Sequence, residues 1–227
     1  DYIIPNFDYL IKNKKNIKGI FLTHGHESNM GAIPDILEQL PNIPVYGTKL
    51  TLEMVRNDLE PNQLKKAKLK EFKPHTKLSF GKNYIFPISV THSIPDAVCF
   101  VLYTQDGAIV YTGDFVFDST MTGAYKTDIG KLAYVGKQGV LCLLSESFYA
   151  DKVGHTSPHN RVAGFIREVL VKNPNRIIAT IFPAHFYRIQ EIFNEVSKTH
   201  RKMVIMGKGL QDMINKAIEE GYLTVDK

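Results

Sequence analysis

The sequence has 227 residues, of which 44% are hydrophobic, and it carries a net charge of +5 with a pI near 9.0. This length and composition are ordinary for a globular protein with one large or two modest domains. No stretch reaches the ~18 consecutive apolar residues of a membrane span, and no leader pattern opens the chain, so we expect a soluble, cytoplasmic protein with no membrane partner.

The first part of the chain alternates apolar runs with amphipathic stretches. Strands are predicted at 17–24 and 44–48, and helices at 30–40 and 48–58. This alternation is typical of α/β layering.

The middle of the chain, from 66 to 117, is rich in predicted strands. The runs lie at 68–73, 77–80, 84–92 and 97–115, the last being two strands joined by a tight hairpin at Asp106-Gly107. A helix near 126–137 and a strand at 139–147 follow.

A polar loop at 148–160 is the candidate domain boundary. After it the pattern is typical of βα units on a parallel sheet. The predicted elements are helices near 158–172, 186–199 and 209–220 and strands at 176–182 and 202–207. The chain begins inside an apolar pattern and stops after a helical one, so we expect it to be a fragment.

The two cysteines and the densest basic run are both open to more than one interpretation. Cys99 and Cys142 lie in apolar runs, which favours two buried, reduced thiols over a disulfide. The basic run at 62–73 favours a solvated surface, with contact to an RNA backbone as the alternative.

Side chains that suit a metal ion follow three of the predicted strands. His24 and His26 end the run "IFLTHGH", His92 ends "ISVTH", and Asp114 follows "AIVYTG". Loops at the carboxyl ends of neighbouring strands converge, so we expect these side chains to lie together. Imidazoles and a carboxylate suit zinc or manganese. A lone histidine after a strand is more often structural, but three such segments in this order favour a metal site.

The ordered set "THGHE", "GAIP", "THSIPDA", "YTGDFVFD" and "GVLCLLSES" resembles the metallo-β-lactamase ribonucleases of the β-CASP group, and most of all the RNase J family. The likeness extends over nearly the whole chain, since "ATIFPAHFYRIQEIF" and "RKMVIMGKGL" are similar to stretches of the β-CASP insert. The resemblance implies a metallo-β-lactamase αββα sandwich, present in part, with the start of an inserted β-CASP α/β domain. The predicted domains are 1–153 and 154–227.

The resemblance also implies cleavage of RNA, both 5′-to-3′ exonucleolytic and endonucleolytic, with two zinc or manganese ions. The family's motif His-x-His-x-Asp-His falls on His24, His26, Ser28 and Asn29. The resemblance implies that the three histidines above bind one metal and that Asp114 bridges it to a second. A hydroxyl and a neutral amide are weak donors to a divalent ion, so we expect one ion at most and weak or lost catalysis.

Two further residues match functional positions of the family. Glu146 matches an acidic position near the metal site, so Asp114 and Glu146 are the candidate catalytic residues. Arg188 matches a basic position and is the candidate RNA-binding residue, with an ion pair as the alternative. His155 and His159 lie in the polar boundary loop, where we expect solvent exposure, with contact to RNA phosphate as the alternative.

The predicted function is therefore an RNase J-like ribonuclease subunit in RNA processing and decay. RNA is the expected partner, together with other subunits in a homo-oligomer or in a hetero-oligomer with an active RNase J paralogue. One alternative is an active ribonuclease that uses one metal or an altered second site. Another is a metallo-β-lactamase-fold hydrolase of small esters or thioesters, against which the β-CASP-like stretch after residue 154 argues.

Overall fold

A computed structural model of the protein describes residues 3–154 and 160–225. The helices in this part of the chain are α1 Asp8–Lys12, α2 Glu27–Met30, α3 Ile33–Gln39, α4 Lys49–Asp58, α5 Pro61–Leu64, α6 Ile129–Gln138, α7 Asn160–Lys172, α8 Phe186–Val196 and α9 Lys208–Glu219. The strands are β1 Ile20–Phe21, β2 Pro44–Gly47, β3 Lys68–Glu71, β4 Leu78–Phe80, β5 Asn83–Ser89, β6 Val98–Tyr103, β7 Ala108–Tyr111 and β8 Val140–Leu144.

These strands form two sheets. The first is parallel, in the order β1-β2-β3, and the second has the order β4-β5-β6-β7-β8. The second sheet is antiparallel except for the β7–β8 pair. The β6–β7 hairpin turns at Asp106-Gly107, as predicted, and Gly107 has a φ of +141°, which favours glycine.

Aromatic side chains join the two sheets face to face. Phe21 of β1 stacks on Tyr46 of β2 at a centroid distance of 4.7 Å and meets Phe100 of β6 edge-on at 6.0 Å. Phe72 and Phe100 also meet edge-on, at 5.7 Å. Such pairs add to the burial of apolar area, and they fix the spacing of the sheets.

Helices pack on the outer face of each sheet, and in the second sheet they leave β8 exposed. α3 and α4 pack on the first sheet with Leu37, Leu52 and Val55, while α6 packs on the second with Val135. The order of layers is thus helix, sheet, sheet, helix, which confirms the predicted αββα arrangement.

α8 and α9 pack into the same apolar cluster as the first sheet. Phe186, Ile189 and Phe193 lie on one face of α8 and are buried together with Val45 of β2. A single cluster therefore contains side chains from both sides of residue 154, and the division into domains at that point stays a prediction.

Some predicted elements are wrong. Segments 176–182 and 202–207 are not strands, because a strand requires a hydrogen-bonded neighbour and the described residues provide none there. The predicted helix at 30–40 is shorter in the structure, where α3 spans Ile33–Gln39 and the separate α2 ends at Met30. Pro34, in the first turn of α3, lacks the N–H that would continue α2 into α3.

The two cysteines are both free, as predicted, but only one is buried. Burial raises the pKa of the Cys99 thiol to about 11, which keeps it protonated. Cys142 is exposed, contrary to the prediction, because the side chains of β8 are exposed along its whole length. No helix within the described ranges is long and apolar enough to cross a membrane.

Candidate metal centre

Three loops meet where the two sheets come together. His24 and His26 follow β1, His92 follows β5, and Asp114 follows β7. Backbone hydrogen bonds hold these loops in place. Val98 N donates a hydrogen bond to Thr23 O at 2.9 Å, which connects the loop after β1 to the second sheet. An isolated β-bridge joins Thr91, just before His92, to Val116, just after Asp114.

The predicted ligands lie close enough to share one ion. One ligand atom from each of His24, His26, His92 and Asp114 lies within 4.8 Å of all the others. His92 Nε2 is 3.1 Å from His26 Nδ1, and His24 Nε2 is 3.5 Å from Asp114 Oδ2. The structure thus brings together all four residues that the sequence predicts as ligands.

Burial keeps His24 and His26 in the neutral form that a metal requires. His24 is 1% exposed, and burial, followed by the charges of His92 and His26, lowers its pKa to about 3. Burial also lowers the pKa of His26, although Asp114 opposes this shift. Neutral imidazoles present a lone pair to a cation.

A hydroxyl group next to His24 can fix its orientation. Thr23 Oγ1 lies 3.0 Å from His24 Nδ1 and is buried. With the ring hydrogen on Nδ1, the ring donates to Thr23 and directs the lone pair of Nε2 at the Asp114 carboxylate. Two electron-rich atoms facing each other are stabilised by a cation between them, so the donor set fits a divalent ion.

Glycine is required beside Asp114. Gly113 has a φ of +60°, and a Cβ at this position would lie 2.9 Å from Cγ2 of Thr23. An L side chain would be strained in this conformation and would push Thr23 away from His24. The glycine of the short sequence "TGD" is therefore needed for the site to keep its geometry.

The sequence matches the family model described as "Beta-lactamase superfamily domain" over residues 6–132, which is more than half of the chain. The chain belongs to the β-lactamase superfamily. Residues 174–227 match the model described as "Ribonuclease J, beta-CASP domain". These matches confirm the metallo-β-lactamase fold with the start of a β-CASP domain.

Two curated relatives of this superfamily member are similar over its whole length. Both are named Ribonuclease J 2, from Staphylococcus aureus strain MRSA252 and from Staphylococcus epidermidis, and both are 37% identical over 228 aligned residues. The chain spans 41% of the length of each relative. The resemblance to RNase J is therefore confirmed.

A solved structure shares the fold. It is a protein of unknown function from Enterococcus faecalis V583, and it superposes with a TM-score of 0.66 and 19% sequence identity over 91% of this chain and 50% of the other.

The next two positions of the superfamily motif, Ser28 and Asn29, form a small hydrogen-bonded unit. Asn29 Nδ2 lies 3.1 Å from Ser28 Oγ and 3.1 Å from His24 Nε2. The amide therefore contacts the same nitrogen that would bind a metal, and an ion at this nitrogen would displace the amide. Neither side chain carries a charge.

The other two predicted site residues lie outside the four-residue group. The Glu146 carboxylate accepts a hydrogen bond from Phe148 N at 2.8 Å and is exposed. The Arg188 guanidinium forms an ion pair with Glu191 on its own helix, which is the alternative left open by the sequence. His155 and His159 lie outside the described residues.

Sequence reasoning missed two hydroxyl residues of the site. These are Thr23, described above, and Ser93, whose Oγ lies 3.3 Å from His26 Nε2. A signal was present, since a hydroxyl residue directly adjoins both His24 and His92 in the sequence. Partners of this kind orient metal-binding histidines.

Proposed function

We propose that the chain is part of an RNase J-like ribonuclease subunit that acts on RNA in its processing and decay, with weak or lost catalysis. The observation that best supports this proposal is the cluster of His24, His26, His92 and Asp114 next to the uncharged pair Ser28 and Asn29. The match to the RNase J β-CASP model and the similarity to two proteins named Ribonuclease J 2 support RNA as the substrate class.

The four clustered residues would hold one divalent ion, zinc or manganese. When bound, such an ion polarises a phosphoryl oxygen and lowers the pKa of its water toward ~7. The histidines contribute neutral nitrogen donors, and Asp114 contributes the negative charge. The Asp114 side chain is 42% exposed, so its carboxylate faces the solvent side, where a phosphodiester would enter.

The weakness of catalysis follows from residues 28 and 29. Hydrolysis with two ions stabilises both the attacking and the leaving oxygen. Ser28 and Asn29 supply no charge for a second ion, and the Asn29 amide competes for His24 Nε2. We also propose Glu146 as a catalytic candidate and Arg188 as an RNA contact. Both roles require side-chain movement, since each is engaged elsewhere.

A subunit of this kind would contribute RNA-binding surface and assembly contacts. We propose that it forms a homo-oligomer or a hetero-oligomer with an active RNase J paralogue. Co-purification with the paralogue, followed by measurement of mass in solution, distinguishes the two assemblies.

The test of the proposal is turnover of 5′-monophosphorylated RNA by the full-length protein. We expect RNA binding with little degradation. The double variant Ser28→Asp/Asn29→His should gain turnover by about 100-fold or more, because a second ion contributes several kcal/mol and each 1.36 kcal/mol is tenfold in rate. Ser28→Ala is the matched control and should stay inactive. Wild-type turnover equal to that of an active relative would contradict the proposal.

A further inference from the structure

The positive charge of the protein is concentrated in one short segment. Residues 65–82 hold seven lysines and a single acidic residue, Glu71, which is a net charge of six, whereas the whole chain carries +5. The rest of the chain therefore has one net negative charge. We call this segment the lysine strip; its lysines are Lys65, Lys66, Lys68, Lys70, Lys73, Lys77 and Lys82.

The lysine strip follows the outer edge of both sheets. It contains β3, which is the last strand of the first sheet, and β4, which is the last strand of the second. The chain crosses from one sheet to the other between them, where Phe72 is buried. All seven lysines are exposed, so the two edges present one sign of charge to the solvent.

The lysines of the strip are available for a partner. Within the described ranges, no carboxylate forms an ion pair with any of them. Two are held over aromatic rings, Lys70 at 5.5 Å from the Tyr46 centroid and Lys77 at 4.1 Å from the Tyr84 centroid. A cation over a ring keeps its charge, and its side chain loses less freedom on binding an anion.

The strip is a separate surface from the candidate metal centre. β1 leads to His24, and β3 lies two strand positions away, about 10 Å. Lys68 and Lys70 lie on the same face of β3, about 7 Å apart, a spacing that suits successive phosphates of an extended strand.

We propose that the lysine strip is a second RNA-binding surface, which contacts the phosphate backbone of single-stranded RNA without reading its sequence. The inference rests on RNA being the substrate class proposed above. Charge complementarity selects a polyanion, because a phosphodiester carries one negative charge per nucleotide and lysine is a point charge that needs no fixed geometry. The strip holds RNA beside the protein, and it takes no part in bond cleavage.

Lysines on edge strands also prevent sheets from pairing with other chains, so the test separates this role from RNA binding. The variant is Lys68→Gln/Lys70→Gln/Lys73→Gln in the full-length protein. The control, Lys126→Gln/Lys131→Gln/Lys137→Gln, removes the same charge from exposed positions in and near α6. A third variant replaces the three strip lysines by arginine, which keeps the charge.

The measurement is the affinity for a fluorescent, unstructured RNA over a series of salt concentrations, on soluble protein of unchanged oligomeric state. For the strip variant we expect about 10- to 100-fold weaker binding at low salt and a salt slope smaller by about 2, since each phosphate contact of a single strand contributes about 0.7. The control should change the slope by much less, and the arginine variant should bind as the wild type does.

Two results would overturn the proposal. One is a strip variant that has the RNA affinity and the salt slope of the wild type. This includes the case in which the variant aggregates more but its RNA binding is unchanged. The other is an equal loss of RNA affinity in the strip and control variants, which would show a general effect of net charge. Absence of RNA binding by the wild-type protein would instead contradict the proposed function, and the strip with it.

Discussion

Replacement of Thr23 by valine is expected to weaken metal binding while leaving the shape of the site unchanged. Valine has the same outline as threonine, so the close contact with Gly113 is kept. The change removes only the hydroxyl that lies 3.0 Å from His24 Nδ1. Metal binding through Nε2 requires the ring hydrogen to be on Nδ1. In the variant, valine at position 23 offers no hydrogen-bond acceptor to this buried hydrogen.

The size of the effect follows from the cost of a buried, unsatisfied donor, which is about 1–3 kcal/mol. Without metal the ring can move its hydrogen to Nε2, which faces Asp114 Oδ2 at 3.5 Å, but the Asn29 amide nitrogen, 3.1 Å from Nε2, must then turn away, so the metal-free state avoids only part of this cost. The metal-bound state cannot avoid this cost, because the metal occupies Nε2 and the hydrogen must stay on Nδ1. A difference of about 1–2 kcal/mol corresponds to about 5- to 30-fold weaker binding.

The assay is a titration of zinc or manganese into the full-length protein in competition with a coloured chelator. Thr48→Val is the matched control, because Thr48 is also buried and its hydroxyl makes a hydrogen bond of 3.0 Å, but to Thr51. The control should bind metal as the wild type does. Equal affinity of wild type and Thr23→Val would refute the assigned tautomer and the role of Thr23.

Two further predictions concern stability. Phe186→Ala should lower the free energy of unfolding by about 3–5 kcal/mol, because this ring is 1% exposed in the core. Phe165→Ala, at a position that is 65% exposed, should lower it much less. Urea unfolding of both variants measures the two changes. Hydrogen bonds from Arg167 and Lys198 lower the pKa of Glu195 to about 2, so this carboxylate stabilises the fold above pH ~4.5, and its contribution is lost as the pH falls toward 2. Glu195→Gln should remove that part of the acid dependence, measured by thermal unfolding from pH 5 to pH 2; the same slope as wild type would contradict it.

Most of the fold was predictable because its signals are local. The turn at Asp106-Gly107 is set by two residues, and the loops with His24, His92 and Asp114 each follow an apolar run. The convergence of these loops was predicted correctly, but the strands before them are not direct neighbours, since β5 and β7 lie on either side of antiparallel β6 and β1 belongs to the other sheet. The approach of His24 and His26 to His92 and Asp114 therefore also depends on the packing of the two sheets.

Features that depend on a neighbouring strand or on side-chain rotation were not predictable. Segment 176–182 is apolar and rich in isoleucine, but an apolar run does not supply the neighbouring strand that a sheet needs. The partner of Arg188 is Glu191, one turn away, and sequence alone could not decide between this ion pair and a phosphate. The contact between Thr23 and His24 depends on the rotation of two side chains, which a sequence pattern does not encode.

We propose that His24, His26, His92 and Asp114 hold a single divalent ion and that Ser28 and Asn29 cannot hold another. The direct measurement is the metal content of the full-length wild-type protein by mass spectrometry of the elements, after equilibration with zinc or manganese and removal of free ions. We expect one ion per chain. Two tightly held ions per chain, together with rapid turnover of RNA, would contradict it.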